Sequence, residues 1–384
     1  MALADAKTIS APASSSRISG IDVARAMAML GMVIAHYAWP DGSGSALDTV
    51  ADAVRGRAMP LFIMLGGVGV TILTSRSPNP DRALLIRAAM LYPLGLLLQE
   101  LTTFIAIILQ SYALLFALSP GFRRLPSRAL VGLTVIVAVA GSWTFQVVGP
   151  QLDRFEGPSD LLDNPVSALW WLLFNGRYPF FPVASFFLLG MVLGRLDLRS
   201  KSVAANLAGV GMVVGVGTVV ATNWLIDGFP WIADEISAKQ RIADFGSGQF
   251  RLARLVDTTG HSEMLAWVVS AAGTAVAVLG LSLLITPRLT GWARPIIALG
   301  RLALSFYVFQ AVLVRFTPHP SETELSQEFT TALAIYVGFM VFATIWTLRL
   351  SVGPLEAALR LGSRGRRTAA VDRRRRTAAV DRCR

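Results

Sequence analysis

The run from Arg17 to His36, Arg-Ile-Ser-Gly-Ile-Asp-Val-Ala-Arg-Ala-Met-Ala-Met-Leu-Gly-Met-Val-Ile-Ala-His, places an acid, a base and an imidazole at helical spacing. At about 100° per residue, Asp22, Arg25 and His36 fall within a stripe about 60° wide and about 21 Å long. An imidazole at one end of such a stripe can take a proton from an attacking hydroxyl or accept an acyl group itself. Each residue also has a plain structural role open to it: Asp22 can lock to Arg25, and His36 can anchor at an interface. Two further histidines, His261 and His319, fall on the same side of the chain's predicted helices. His261 follows Asp257-Thr-Thr-Gly260 and precedes Ser262 and Glu263, at the predicted start of a helix. It can bind acceptor hydroxyls, act as a second acid-base group, or merely cap the helix. His319, between Pro318 and Pro320, reads as a surface residue. No two histidines stand at ligand spacing, and the single cysteine, Cys383, permits neither a thiolate cluster nor an intrachain disulfide, so no metal is expected.

These groups sit in a chain that is 54% hydrophobic and 15% charged, with a mean hydropathy of +0.56. Apolar blocks of spanning length occur at roughly 21–38, 58–75, 83–100, 102–118, 129–148, 179–195, 203–225, 264–286, 295–315 and 330–348. The expected fold is therefore an all-α, polytopic membrane bundle of about ten transmembrane helices. Arg76 and Arg82, Arg123, Arg124 and Arg128, Arg195, Arg199 and Lys201, and Arg288 and Arg294 fall in alternate loops. Asp41, Asp48 and Asp52, Asp153, Glu156, Asp160 and Asp163, Asp234 and Glu235, and Glu322, Glu324 and Glu328 fall in the others. The positive-inside rule then puts both termini in the cytoplasm. The net charge of +11 is spread over short loops and a tail, with no soluble domain to present it to nucleic acid.

Residues 1–16 read as a disordered cytoplasmic N-terminus. The first apolar stretch lacks a cleavage site and is retained, residues 17–350 form one membrane domain, and 351–384 form a basic, disordered tail. That tail repeats RRTAAVDR at 366–373 and 375–382 and suits anionic lipid. Of the longer outer segments, Gly149 to Tyr178 carries Trp170 and Trp171 for the interface, and Asp227 to Glu263 suits a cap over an outward-facing site. The glycines of 66–69 and 209–217 lie inside apolar spans and point to close helix packing rather than phosphate loops. Intramembrane Asp, Arg and Gln also mark transport pathways, so a transporter or flippase for a lipid-linked or small polar solute is the alternative. A scaffold with a recruiting tail is a third reading.

The pattern from Arg17 to His36 resembles the opening of bacterial relatives of heparan-α-glucosaminide N-acetyltransferase, in a wider transmembrane acyltransferase superfamily. Ile107 to Ala113, Tyr178-Pro179, Gly190 to Asp197, His261-Ser262, Gly300 to Tyr307 and Gly353 to Glu356 are similar to blocks of actinobacterial members, in matching order. The resemblance implies an acyltransferase moving an acyl group, usually acetyl, from cytoplasmic acyl-CoA to a hydroxyl or amine of an extracytoplasmic sugar or glycolipid of the cell envelope. It puts His36 at the essential histidine; proton transfer or acyl capture there needs an orienting carboxylate, for which Asp41 and Asp52 on the following outer loop are the candidates. Coenzyme A phosphates call for cations, and Arg25, Arg87, Arg294 and Arg301 lie at predicted inner helix ends. Asp22, Gln110, Tyr112, Tyr307 and Gln310 are the polar groups that line a tunnel or bond between helices. Membrane lipids and the acceptor are the expected partners, and a homo-oligomer is compatible with all of this. Two positions depart from the family pattern: Ala26 replaces a glycine, and Gln310 replaces a histidine. An amide cannot shuttle a proton, which either transfers that duty to His36 and His261 or removes activity.

Overall fold

The computed structural model describes residues 17–102, 105–148, 165–174, 178–241, 251–289, 291–320, 323–350 and 352–363. Among them the chain is helical, with no strand. The helices are α1 (Ser19–Tyr37), α2 (Ala46–Val54), α3 (Ala58–Arg76), α4 (Pro80–Leu101), α5 (Leu109–Phe122), α6 (Ser127–Val147), α7 (Pro165–Phe174), α8 (Phe180–Leu193), α9 (Lys201–Gly228), α10 (Pro230–Arg241), α11 (Leu265–Ile285), α12 (Arg294–Arg301), α13 (Ala303–Leu313), α14 (Leu325–Arg349) and α15 (Pro354–Ser363).

Each expected stretch holds a helix, though 102–118 becomes helical only from Leu109 and 295–315 is broken at Leu302, and fewer helices meet the demands of a bilayer. Six are long and apolar enough to cross: Ala46–Arg76, Pro80–Leu101, Ser127–Val147, Lys201–Gly228, Leu265–Arg288 and Leu325–Arg349. A seventh is reached if Arg294–Arg301 and Ala303–Phe316, which meet at 78°, count as one broken span. Helices α5 and α8 have 14 residues each, about 21 Å of rise against a hydrocarbon core of about 30 Å. The expected fourth stretch starts late because Thr102 is extended, its hydroxyl bonding back to Leu98 O, and the helix resumes only at Leu109.

Helix α1 stands apart from those six, and its place in the bundle explains why. It packs against α3, α11, α12, α13 and α14, and Ala24, Ala26, Ala28 and Val33 are fully enclosed. Its polar stripe therefore faces protein rather than lipid, as ionisable groups at membrane depth require. The helices at lipid-facing positions show the reverse, with Val213, Val216, Val220 and Trp224 of α9 exposed.

The glycine-rich stretches pack as expected. A Cβ on Gly211 would meet Ala277 N at 2.3 Å, one on Gly273 would meet Gly215 N at 2.3 Å, and one on Gly67 would meet Phe187 O at 2.0 Å, so these helix pairs run backbone to backbone.

The C-terminal segment differs from expectation. Pro354–Ser363 forms α15 against α4, so the structured part extends past residue 350. The Glu356 carboxylate accepts from Leu304 N at 2.8 Å, Ser305 N at 3.1 Å and Ser305 Oγ at 2.6 Å. Those amides are the orphan donors at the start of α13, so α15 caps the helix that begins at the 78° break. The N-terminal residues 1–16, the duplicated basic run, Asp153, Glu156, Asp160, Asp163 and Glu322 lie outside the described residues. Of the two longer outer segments, the one expected at the interface includes the helix Pro165–Phe174 with Trp170 exposed, and the one expected as a cap, Asp227 to Glu263, contributes α10, a short turn at Leu252–Val256 and the His261 loop.

Candidate active site

The two ends of α1 carry different chemistry. At its start, Asp22 is 1% exposed and receives Arg17 Nε at 2.5 Å, Arg17 Nη2 at 2.7 Å and Arg25 Nη1 at 3.0 Å. The expected Asp22–Arg25 pair thus forms, with Arg17 added. Helix α12 is brought against this network because Gly300 has no side chain: a Cβ there would fall 1.8 Å from Asp22 O. The next residue, Arg301, sits at the break and keeps a buried Nε without a hydrogen-bond partner. Arg25 approaches Gly69 and acts electrostatically on Tyr112.

The other expected cations of this mouth do not join it. Arg87 is half-buried on α4 and donates to Ala83 O at 3.0 Å, beside Arg360 of α15. Arg294 is exposed at the start of α12, the helix that ends at Arg301.

Between the ends, the polar side chains serve the helices around them. Tyr112 Oη donates to Phe62 O at 2.6 Å, Tyr307 Oη accepts from Ile108 N at 3.2 Å, and Gln110 Nε2 reaches Gly95 O at 3.4 Å. Phe62 stacks on Tyr307, with ring centroids 6.0 Å apart, and meets Tyr112 edge-on at 5.5 Å. Tyr112 is fitted against Gly66, whose Cβ would lie 2.6 Å from the hydroxyl. Each hydroxyl is thus part of an interhelical bond.

At the far end of α1, His36 Nδ1 lies 2.9 Å from Gln310 Oε1, and Tyr37 Oη donates to Gln310 O at 2.7 Å. Gln310 is 1% exposed. An amide oxygen only accepts, so Nδ1 carries the proton and the lone pair sits on Nε2. Gln310, one of the two positions expected to depart from the family pattern, is the residue that orients the histidine. Its own Nε2 is buried without a partner.

Asp41 does not have that role. It is exposed, its carboxylate accepts from Ser43 N at 2.9 Å, and its bonds to Ser43 hold it below the usual carboxylate range. The turn beyond α1 closes on itself instead, with Asp48 accepting from Asp41 N, Gly42 N and Gly44 N. Asp52 is exposed as well.

His261 is brought to the same end by a backbone contact that only glycines allow. A Cβ on Gly56, which has φ +72°, would lie 2.5 Å from Gly260 Cα, and one on Gly260 would lie 2.6 Å from Arg55 O. The loop before α11 therefore lies directly on the corner between α2 and α3. It precedes the helix rather than starting it, since α11 begins at Leu265. His261 and Glu263 adopt φ +63° and +60°, a region where non-glycine residues are strained. The His261 ring lies 5.8 Å from Tyr178 and 6.0 Å from Trp267, and its Nδ1 is 4.0 Å from the buried Glu263 carboxylate. Burial, then Arg55, His36 and Arg57, push its pKa down to about 4. It is neutral at pH 7 and sits near His36.

His319 is more engaged than a surface residue: it is half-buried, bonds Pro320 O and meets Trp39 edge-on at 4.9 Å. Trp39 N in turn donates to Glu328 Oε2 at 3.0 Å, and Arg55 covers its ring at 5.8 Å. Sequence reasoning named Asp48 and Asp52 in this corner and passed over Arg55 and Arg57; the paired glycines Gly56 and Gly260 were the available signal.

His36 with a free Nε2, set on a buried neutral acceptor beside a second neutral histidine, is an arrangement that can remove a proton from a hydroxyl or amine. Among the described residues no group of three or more His, Cys, Asp or Glu could hold a metal ion. No curated protein matches this chain. Residues 249–366 match a family described as a protein of unknown function (DUF418). Residues 17–221, more than half of the 384-residue chain and including His36 and the Asp22 network, match the family described as heparan-alpha-glucosaminide N-acetyltransferase, catalytic. The chain is a multi-pass membrane protein of acetyltransferase type and belongs to that family.

Proposed function

We propose that this protein moves an acyl group, in the first place acetyl, from acyl-CoA to a hydroxyl or amine of a sugar or glycolipid, with His36 as the base. The observation that carries the reading is the His36 Nδ1 contact with Gln310 Oε1, which leaves Nε2 free in a family of this activity. The acceptor's proton passes to Nε2 as its oxygen or nitrogen attacks the acyl carbon. The C–S bond then breaks, and the thiolate leaves with the proton that Nε2 returns. Gln310 holds the ring without giving it a counter-charge. Direct capture of the acyl group on His36 before transfer uses the same atom.

Donor phosphates suit the opposite end of α1, where the buried Nε of Arg301 is a free donor and Arg17 and Arg25 lie close by. The excess of arginine at the Asp22 end supports placing it in the cytoplasm, and with it both termini. The acceptor then meets His36 from outside the cell membrane.

The test is to incubate detergent-purified protein with radiolabelled acetyl-CoA and measure coenzyme A release and label on the protein, for the natural chain and His36→Ala. Release or labelling that disappears in the variant is expected. Equal release by both chains would remove His36 from the reaction.

A further inference from the structure

Near His261, one buried donor lacks an acceptor. Arg57 stands at the corner between α2 and α3, fixed by the close contact of Gly56 with Gly260. Its Nη2 donates to Thr258 O across 3.4 Å, at the long limit of a hydrogen bond, and its Nη1 is buried with no hydrogen-bond partner. Asp52 acts on it only through space and is itself exposed. Arg55 lies nearby, and both guanidiniums act on the His261 ring, which also feels His36. Of the buried acids in this corner, Glu263 faces His261, and Asp257 accepts from Thr259 N at 2.9 Å. A guanidinium with an unused buried N–H has lost its water without gaining an acceptor, which is unfavourable unless a ligand supplies one. Its planar fork matches carboxylate and phosphate.

We infer that Arg57 recognises an oxyanion, a carboxylate or phosphate, carried by the acceptor, so that the molecule acylated beside His36 is an acidic sugar or glycolipid rather than a neutral one. Identifying the ligand as the acceptor rests on the proposed function; the anion site itself rests on Arg57. A role as a snorkelling anchor does not explain it, because such a side chain reaches for water or headgroups with its terminal nitrogens, whereas Nη1 is enclosed.

The test is calorimetric titration of the full-length protein in neutral detergent with methyl glucuronide, inorganic phosphate and methyl glucoside. The same sugars are then offered as acceptors with acetyl-CoA. The site predicts that at least one anion binds about 10-fold or more tightly than methyl glucoside, the range of a charge-assisted bond. The Arg57→Gln variant should lose that preference. Arg57→Lys, which keeps the charge without the fork, should retain part of it. If Arg57→Gln does not fold, as read from its melting transition, Arg57→Lys decides: a several-fold loss of anion affinity supports the site, and unchanged affinity overturns it. Equal binding of anionic and neutral sugars, a preference that survives substitution, or displacement of methyl glucuronide by coenzyme A also overturns it, the last because Arg57 would then serve the donor. Anion-selective binding without acetyl transfer would leave the site standing and remove the acyltransferase reading. Transfer without anion selectivity would do the reverse.

Discussion

The two ends of α1 are held in opposite ways. At Asp22 the ties are ionic: two arginines share one enclosed carboxylate, the Gly300 backbone rests on the same turn, and the Nε of the adjacent Arg301 is left over as a donor. At His36 they are neutral and incomplete: an imidazole leans on the oxygen of an amide whose nitrogen has no partner, beside a second histidine in a strained loop. Enclosed ion networks resist change because removing one member strands the others. Unfinished hydrogen bonding and backbone strain gather where a ligand completes the site. The contrast assigns anchoring and donor binding to one end and proton transfer to the other.

The largest effect on folding is expected at Asp22. Asp22→Ala leaves Arg17 and Arg25 facing a buried void and should cost about 3 kcal/mol, the low end for a broken buried pair because the arginines are 35% and 25% exposed. A lowered melting temperature in detergent checks this; an unchanged one would mean that the network is ornamental. Next, Gln310→Leu should keep the fold but release the His36 ring, lowering transfer about 100-fold through misplacement of the base, whereas Gln310→Glu should keep the ring oriented and retain more of the rate. A rate in Gln310→Leu equal to the natural chain would deny Gln310 its orienting role.

These two residues show what the sequence makes legible. Asp22 and Arg25 are three apart on one helix, so periodicity alone pairs them. Gln310 stands 274 residues from His36, and no local pattern announces that α13 packs against α1 to bring it there. Asp41 misled for the same reason: nearness along the chain placed it by His36, but the turn's own amides engage its neighbour Asp48 and Ser43 engages Asp41. The helix content was readable from apolar blocks, yet 295–315 read as one span because its hydropathy runs unbroken across Leu302, where the backbone bends at φ −104°, ψ 25°. The capping carboxylate that accommodates this bend comes from Glu356, in a segment whose basic surroundings suggested disorder.

Smaller effects follow from that cap and from His261. Glu356→Gln keeps the size of the side chain but gives up its charge at the amides of Leu304 and Ser305, and should lower stability by about 1 kcal/mol, measurable by thermal unfolding. His261 has a folded pKa of about 4 against an ordinary 6.5, so between these values the unfolded chain binds more protons and stability rises with pH. Its contribution is complete above pH 6.5 and is lost as pH falls toward 4. His261→Asn should therefore narrow the difference in melting temperature between pH 5 and pH 7, and should lower transfer by a factor that does not vary with pH over that range. A variant factor that changes sharply between pH 5 and pH 7 would show that His261 titrates in the working range.

The most direct test of the division between the two ends is a paired measurement of melting temperature and acetyl transfer per folded molecule for His36→Asn and Asp22→Asn. At saturating acetyl-CoA a crossing is expected: His36→Asn melts like the natural chain and loses about 100-fold or more of its transfer, whereas Asp22→Asn melts lower and retains transfer in the fraction that stays folded, its loosened Arg17 and Arg25 raising only the donor concentration needed. Natural rates in His36→Asn, or equal losses of both properties in both variants, would contradict it.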